Sequence, residues 1–195
     1  MLNYPLSMSF KIVAINPQVT VTDASGQVVA YVKQQAFRLK EDITIFADEA
    51  QTRPLYRINA NRVLDFNANY AITTPDGLPV GSVYRPGARS ILKASYHLKD
   101  AQGDEIGLIH EENAWIKVLD ALLGEVPGLG LFTGYLFNPA YLVDLRGQAT
   151  FYLKKQPAFL EGKFTLEPRG PIAEQDEGLA IAGTIMALML ERTRG

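Results

Sequence analysis

Cysteine is absent from this chain of 195 residues. That absence excludes disulfides, thiol catalysis, cysteine zinc sites and palmitoylation together. Histidine is almost absent as well: His97 and His110 leave little material for a metal centre. Charge of one sign is also lacking, with Lys+Arg at 19 against Asp+Glu at 21 and a net charge of -2. Nucleic-acid binders usually carry a strong basic excess, so no nucleic-acid partner is expected. No apolar run reaches the roughly 20 residues a bilayer span requires, so no transmembrane segment is expected. The amino terminus, MLNYPLSMSF, has no basic stretch ahead of an apolar one and does not read as a signal peptide. A cytoplasmic protein, able to associate peripherally with membranes, is the expectation. What the chain does have is a hydrophobic content of 47% and a charged content of 21%, the balance of an ordinary globular protein. Its length is ample for one domain and small for two.

The most apolar stretch is GLAIAGTIMALML, from Gly178 to Leu190. On a helical wheel Leu179, Ile181, Ile185, Met186, Leu188, Met189 and Leu190 spread over more than half the circumference, and Ala180, Gly183, Thr184 and Ala187 fill the rest. A helix apolar all round belongs inside a core or a membrane. At 1.5 Å per residue the run is roughly 20 Å long, and a bilayer core needs about 30 Å. Length therefore assigns it to a protein core. Glu174, Asp176 and Glu177 precede it and Arg192 and Arg194 follow, the charge order that a helix dipole favours. A central helix over residues 177–192 is expected.

Upstream the chain reads as short strands. VTVTDASGQVVAYV (Val19 to Val32), YAITTPDGLPVGSV (Tyr70 to Val83) and YHLKDAQGDEIGLI (Tyr96 to Ile109) share one frame. Each has alternating apolar residues, a polar turn closed by glycine, then a small residue two positions before Val or Ile. These are β-hairpins whose glycine supplies positive φ, and three copies imply one sheet laid down hairpin by hairpin. The small residues Ala30, Gly81 and Gly107 share the face of Val32, Val83 and Ile109, so they are expected to point inward where a helix comes close. Further strands are expected over 9–15, 36–40, 43–47, 55–60, 63–67, 90–94, 148–154 and 158–166. The fold class is therefore mainly β: a single antiparallel barrel of about twelve strands closed around a buried hydrophobic C-terminal helix. Residues 1–8 are read as an extension outside the fold, with Met8 an alternative start, and residues 9–195 as one domain.

One segment breaks the pattern. Trp115, Val118, Leu119, Leu122 and Leu123 recur at helical spacing, and the glycine-rich stretch after them carries Leu129, Leu131, Phe132, Tyr135, Leu136 and Phe137. Such a segment either packs on the barrel as a satellite core or is exposed for a purpose. If exposed, Trp115, Leu122, Leu123, Leu129, Leu131 and Phe132 are the candidate contacts for a membrane lipid or a protein partner.

The hairpins Tyr70 to Val83 and Tyr96 to Ile109, with the terminal helix Gly178 to Leu190 between acids and arginines, resemble the tubby C-terminal-like superfamily. The resemblance is to its phospholipid scramblase and LURP-one-related branches and runs from about Ser9 to the end. It implies a twelve-stranded barrel around a hydrophobic C-terminal helix. Scramblases also carry an acidic calcium-binding segment before that helix. Here the matching place reads EPRGPIAEQDE (Glu167 to Glu177), without alternating acids, so no calcium site carries over.

Chemistry-bearing residues do not converge in the sequence. Asp100, Asp104 and Glu105 lack calcium-loop spacing, and a solvated hairpin turn explains them. Glu111 with Glu112, and Glu174 with Asp176 and Glu177, read as a polar strand end and a helix start. Both histidines fall on the solvent face of their strands. Gly124, Gly128 and Gly130 have no following Lys-Ser/Thr and do not form a phosphate loop. Arg53, Arg57 and Arg62 form one basic cluster and Arg85 and Arg89 another. Either could meet an anionic headgroup, and a solvated, partly paired surface is the plain alternative. No catalytic residue, metal or cofactor is expected. The function expected is a non-enzymatic binding module for lipid or a hydrophobic partner, and the alternative is a homo-oligomeric scaffold, for instance a homodimer through the same apolar segment.

Overall fold

The computed structural model describes residues 2–11, 18–33, 42–60, 67–86, 95–112, 140–157 and 161–192. Twelve strands run in sequence: β1 (Leu6–Lys11), β2 (Gln18–Thr22), β3 (Val28–Lys33), β4 (Ile43–Phe46), β5 (Pro54–Ala60), β6 (Asn67–Thr73), β7 (Pro79–Pro86), β8 (Ser95–Asp100), β9 (Glu105–Glu111), β10 (Ala140–Leu145), β11 (Gln148–Gln156) and β12 (Glu161–Pro168). Each pairs antiparallel with its sequence neighbours, and β1 pairs with β12 to close the barrel. The one remaining described element is α1 (Glu174–Arg192).

Period-two alternation sets which side chains line the interior. Leu6, Met8 and Phe10 of β1, Val19 and Val21 of β2, Tyr96 and Leu98 of β8, and Tyr141, Val143 and Leu145 of β10 are all buried. Around them Leu179 to Leu190 of α1 is buried at every position. A twelve-stranded barrel is too wide for its own side chains to fill, and the apolar helix occupies that interior. Thr184 disposes of its hydroxyl locally, donating to the Ala180 carbonyl at 2.7 Å. No helix among the described residues is long and apolar enough to cross a membrane.

The three equivalent hairpins fold alike. Gly26, Gly77 and Gly103 all take φ between 83° and 90°. In each turn the glycine N–H donates to the carbonyl three residues earlier, at Asp23, Thr74 and Asp100. Asp23 Oδ1 and Asp100 Oδ1 each accept further backbone N–H groups across their turns. Those bonds, with the Ser25 hydroxyl first among them, hold the Asp23 carboxyl below its ordinary pKa. A register shift follows at the same place in each hairpin, after Val21, Ile72 and Leu98.

Several expectations need correction. The first strand starts at Leu6, not Ser9, and Leu6 and Met8 are 0% exposed, so residues 6–8 are part of the barrel rather than an extension. The helix starts at Glu174, one turn before residue 177. Strand β10 was not foreseen. Of the three small residues, Gly81 does meet the helix: a Cβ there would lie 2.9 Å from Leu179 Cδ1 and also collide with the Lys99 carbonyl. Gly107 instead faces β10, its pairing neighbour: a Cβ there would lie 2.6 Å from the Asp144 carbonyl and 2.7 Å from Leu145 Cδ2. The strands expected over 36–40 and 90–94, and that over 63–67 apart from Asn67, lie outside the described residues.

Candidate functional site

Strand pairing around the barrel is uneven. β6 and β7 pair along their length, from Asn67 against Pro86 to Thr73 against Pro79, with one register shift after Ile72. Between β3 and β4, by contrast, Tyr31 against Phe46 is the pairing among the described residues. A cavity of about 350 Å³ opens beside this seam. Val29 and Ala30 of β3, Ile45 and Ala47 at β4, and Leu55 and Tyr56 of β5 form its sides. Ile181, Ala182 and Ile185 of α1, all buried, form its floor. It is apolar within and reaches the central helix.

Polar groups gather at the mouth. Arg53 and Glu174 border the cavity and are exposed. Glu177, in the first turn of α1, is 9% exposed, and its Oε1 accepts from the Leu2 N–H at 3.2 Å and the Tyr4 hydroxyl at 3.0 Å. Burial first, and then the bond to and the charge of Glu177, raise the Tyr4 hydroxyl far above its ordinary pKa. Tyr56 is raised by burial and by the same carboxylate, and its hydroxyl lies against Gly178, where any side chain would collide with it. The chain's beginning is thus strapped to the helix's beginning along one side of the opening.

Arg53 is placed by a loop that folds on Asp48. The Asp48 carboxylate accepts from Thr52 N–H, Thr52 Oγ1 and Arg53 N–H, each at 3.0 Å. These bonds, the Thr52 backbone first, hold its carboxyl below the usual carboxylate pKa. Arg53 Nε lies 3.9 Å from Asp48 Oδ2, at the outer limit of an ion pair.

A second hollow of about 390 Å³ lies beside the β10–β11 turn, between Leu145, Gln148, Pro171, Ile172 and Asp176. Arg146 crosses it as a strut, with Nε 2.7 Å and Nη2 3.0 Å from the two oxygens of Asp176. That two-pronged bond ties the start of α1 to the barrel rim, and it raises the Arg146 pKa.

At the other end of α1 the Tyr96 hydroxyl donates to Glu191 Oε1 at 2.6 Å. Tyr96 and Tyr141 are both pushed far above their ordinary pKa, first by burial and then by carboxylates. Arg85, a headgroup candidate, is half-buried here with its guanidinium carbon 5.7 Å from the Tyr96 ring centre. The sequence reads Glu111 with Glu112 as a polar strand end. Glu111 faces inward instead and is 2% exposed, while Glu112 faces out and accepts from the Tyr152 hydroxyl at 3.0 Å. The histidines are on the outer face as read, His97 paired with Glu105 at 2.8 Å and His110 with Asp144 at 2.9 Å.

Among the described residues no group of three or more His, Asp or Glu side chains could hold a metal ion. Trp115, Leu122, Leu123, Leu129, Leu131, Phe132 and Arg89 lie outside the described residues. The opening was missed in the sequence. Its one legible signal was Arg53, read as a headgroup candidate with no position to give it meaning.

No protein-family profile matches the chain. No curated protein matches it in sequence. In three dimensions it is similar to the X-ray structure of a protein from Arabidopsis thaliana, a LURP-one-related protein. The two share 11% identity with a TM-score of 0.50, over 98% of this chain and 93% of that one. At that identity the likeness is one of fold, and a tubby-like barrel is the fold it fits.

Proposed function

We propose that this barrel is a non-enzymatic binding module that takes an apolar ligand, a lipid or the hydrophobic part of a partner, and works peripherally at membranes. The observation that carries the reading is the opening between β3 and β4, an apolar cavity within the 300–1,000 Å³ span of small-molecule sites and floored by the central helix. The described outer surface offers little competition. Leu78, at the tip of the β6–β7 turn, is its exposed large hydrophobic residue, and a lone exposed leucine is ordinary.

The test uses the full chain. Titration with the neutral dye Nile red is expected to show one saturable site. Vesicles of mixed acidic and zwitterionic phospholipid are expected either to pull the protein down on sedimentation or to leave lipid with it in the supernatant. A protein that binds no dye and exchanges nothing with the vesicles is not an apolar binding module.

A further inference from the structure

Building on that reading, we infer that the opening between β3 and β4 takes a single-chain zwitterionic amphiphile, its chain against Ile45, Ile181 and Ile185 and its head between Arg53 and Glu174. The chain follows from size and lining. A cavity of about 350 Å³ is at the small end of ligand sites, too small for two acyl chains or a sterol. Its buried floor, Ile181, Ala182 and Ile185, offers no polar side chain to an occupant.

The head follows from charge. The Arg53 guanidinium presents a fork of N–H donors suited to phosphate or carboxylate oxygens. Its neighbour Asp48 competes weakly, since it is 3.9 Å away and already accepts three bonds within its own loop. Of the two carboxylates at the mouth, Glu177 is engaged with Leu2 and Tyr4. Glu174 is exposed and faces the same mouth, so it is the partner for an ammonium group. An anionic head alone would be repelled by Glu174 and Glu177, and a cationic head alone by Arg53. A head carrying both signs satisfies the rim.

The experiment is isothermal titration calorimetry with dodecylphosphocholine below its micelle concentration. Dodecyl phosphate, dodecyltrimethylammonium and neutral dodecyl maltoside serve as comparators of equal chain length. Dodecylphosphocholine is expected to bind one-to-one and about tenfold or more tighter than each comparator, the effect of one charge-assisted contact. Arg53→Gln should weaken dodecylphosphocholine about tenfold and leave dodecyltrimethylammonium no weaker. Ala47→Phe, which fills the mouth, should abolish binding of all four, with Val29→Trp as a second plug and a circular dichroism melt to verify folding. Equal affinity for dodecyl maltoside, with Arg53→Gln indifferent, would overturn the zwitterion while the apolar module stands. Unchanged binding in both folded plug variants would overturn the location. Failure of every amphiphile together with failure of Nile red would remove both readings at once.

Discussion

Along β7 and β8 the wall closes on α1 until a Cβ has no room: Gly81 lies against Leu179, and Gly183 lies against Leu98 and Val83. At β3 and β4 the same helix faces an opening, with Ala182 and Ile185 forming its floor. The two regions use small residues in opposite ways. Glycine on the closed side brings backbones together, whereas alanine at positions 30 and 182 borders the cavity on the open side. One helix can therefore be both the core of the barrel and the floor of a binding site.

The largest perturbation removes what both regions share. Ending the chain at Glu177 deletes seven large buried side chains, worth on the order of 10–20 kcal/mol gross, against a typical net stability of 5–15 kcal/mol. No cooperative thermal transition is expected by circular dichroism, and a soluble truncate that melts cooperatively would refute the barrel's dependence on α1.

Neighbouring positions on α1 then separate the two walls. Gly183→Val places methyl groups where Leu98 Cδ2 would lie 2.6 Å from a Cβ, an overpacking expected to cost about 1–3 kcal/mol. Ala182→Val, at a buried position that borders the cavity, is expected to cost about 1 kcal/mol, the low end of that range. Urea denaturation reads both, and equal costs would mean the walls do not differ.

Alkaline pH acts at both ends of the helix. Tyr4 and Tyr56 at its start and Tyr96 and Tyr141 at its end all have raised pKa values, chiefly through burial. In the unfolded chain they ionise near the ordinary value of about 10. Below that pH both states keep their protons and these groups leave stability unchanged. Above it the unfolded chain loses protons that the folded one retains, so stability falls as pH rises. Melting temperatures from pH 8 to 11 should be level and then drop past about pH 10, with the share of tyrosinate absorbance due to these four side chains appearing only at the melt.

The smallest effect tests the closed end alone. Tyr96→Phe removes the donor to Glu191 and should cost about 1.5 kcal/mol by urea denaturation. It should leave Nile red binding at the opening unchanged.

Much of the fold was legible because its signals are local. Gly26, Gly77 and Gly103 close turns at fixed offsets, and an all-apolar helix too short for a bilayer has few places to go. The first strand was misplaced although Leu6, Met8 and Phe10 alternate as β1 requires; the supposed alternative start at Met8 masked a strand whose third residue it is. β10 was passed over because Tyr141, Val143 and Leu145 follow directly on a longer apolar stretch. The candidate site was hardly legible at all. A cavity beside the β3–β4 seam depends on how strands and helix pack, and Arg53 and Glu174, which border it, are far apart in the chain. Neither leaves a spacing to read. The apolar segment Trp115 to Phe137 drew the sequence-based site because composition speaks louder than position.

The most direct test of an open wall beside a closed one is a crystal of the full chain held under xenon, which enters dry apolar cavities. Xenon is expected among Ala30, Ile45, Ile181 and Ala182, with none beside Gly81 or Gly183. A crystal with no xenon at the β3–β4 seam, or with as much along β7 and β8, would contradict the account.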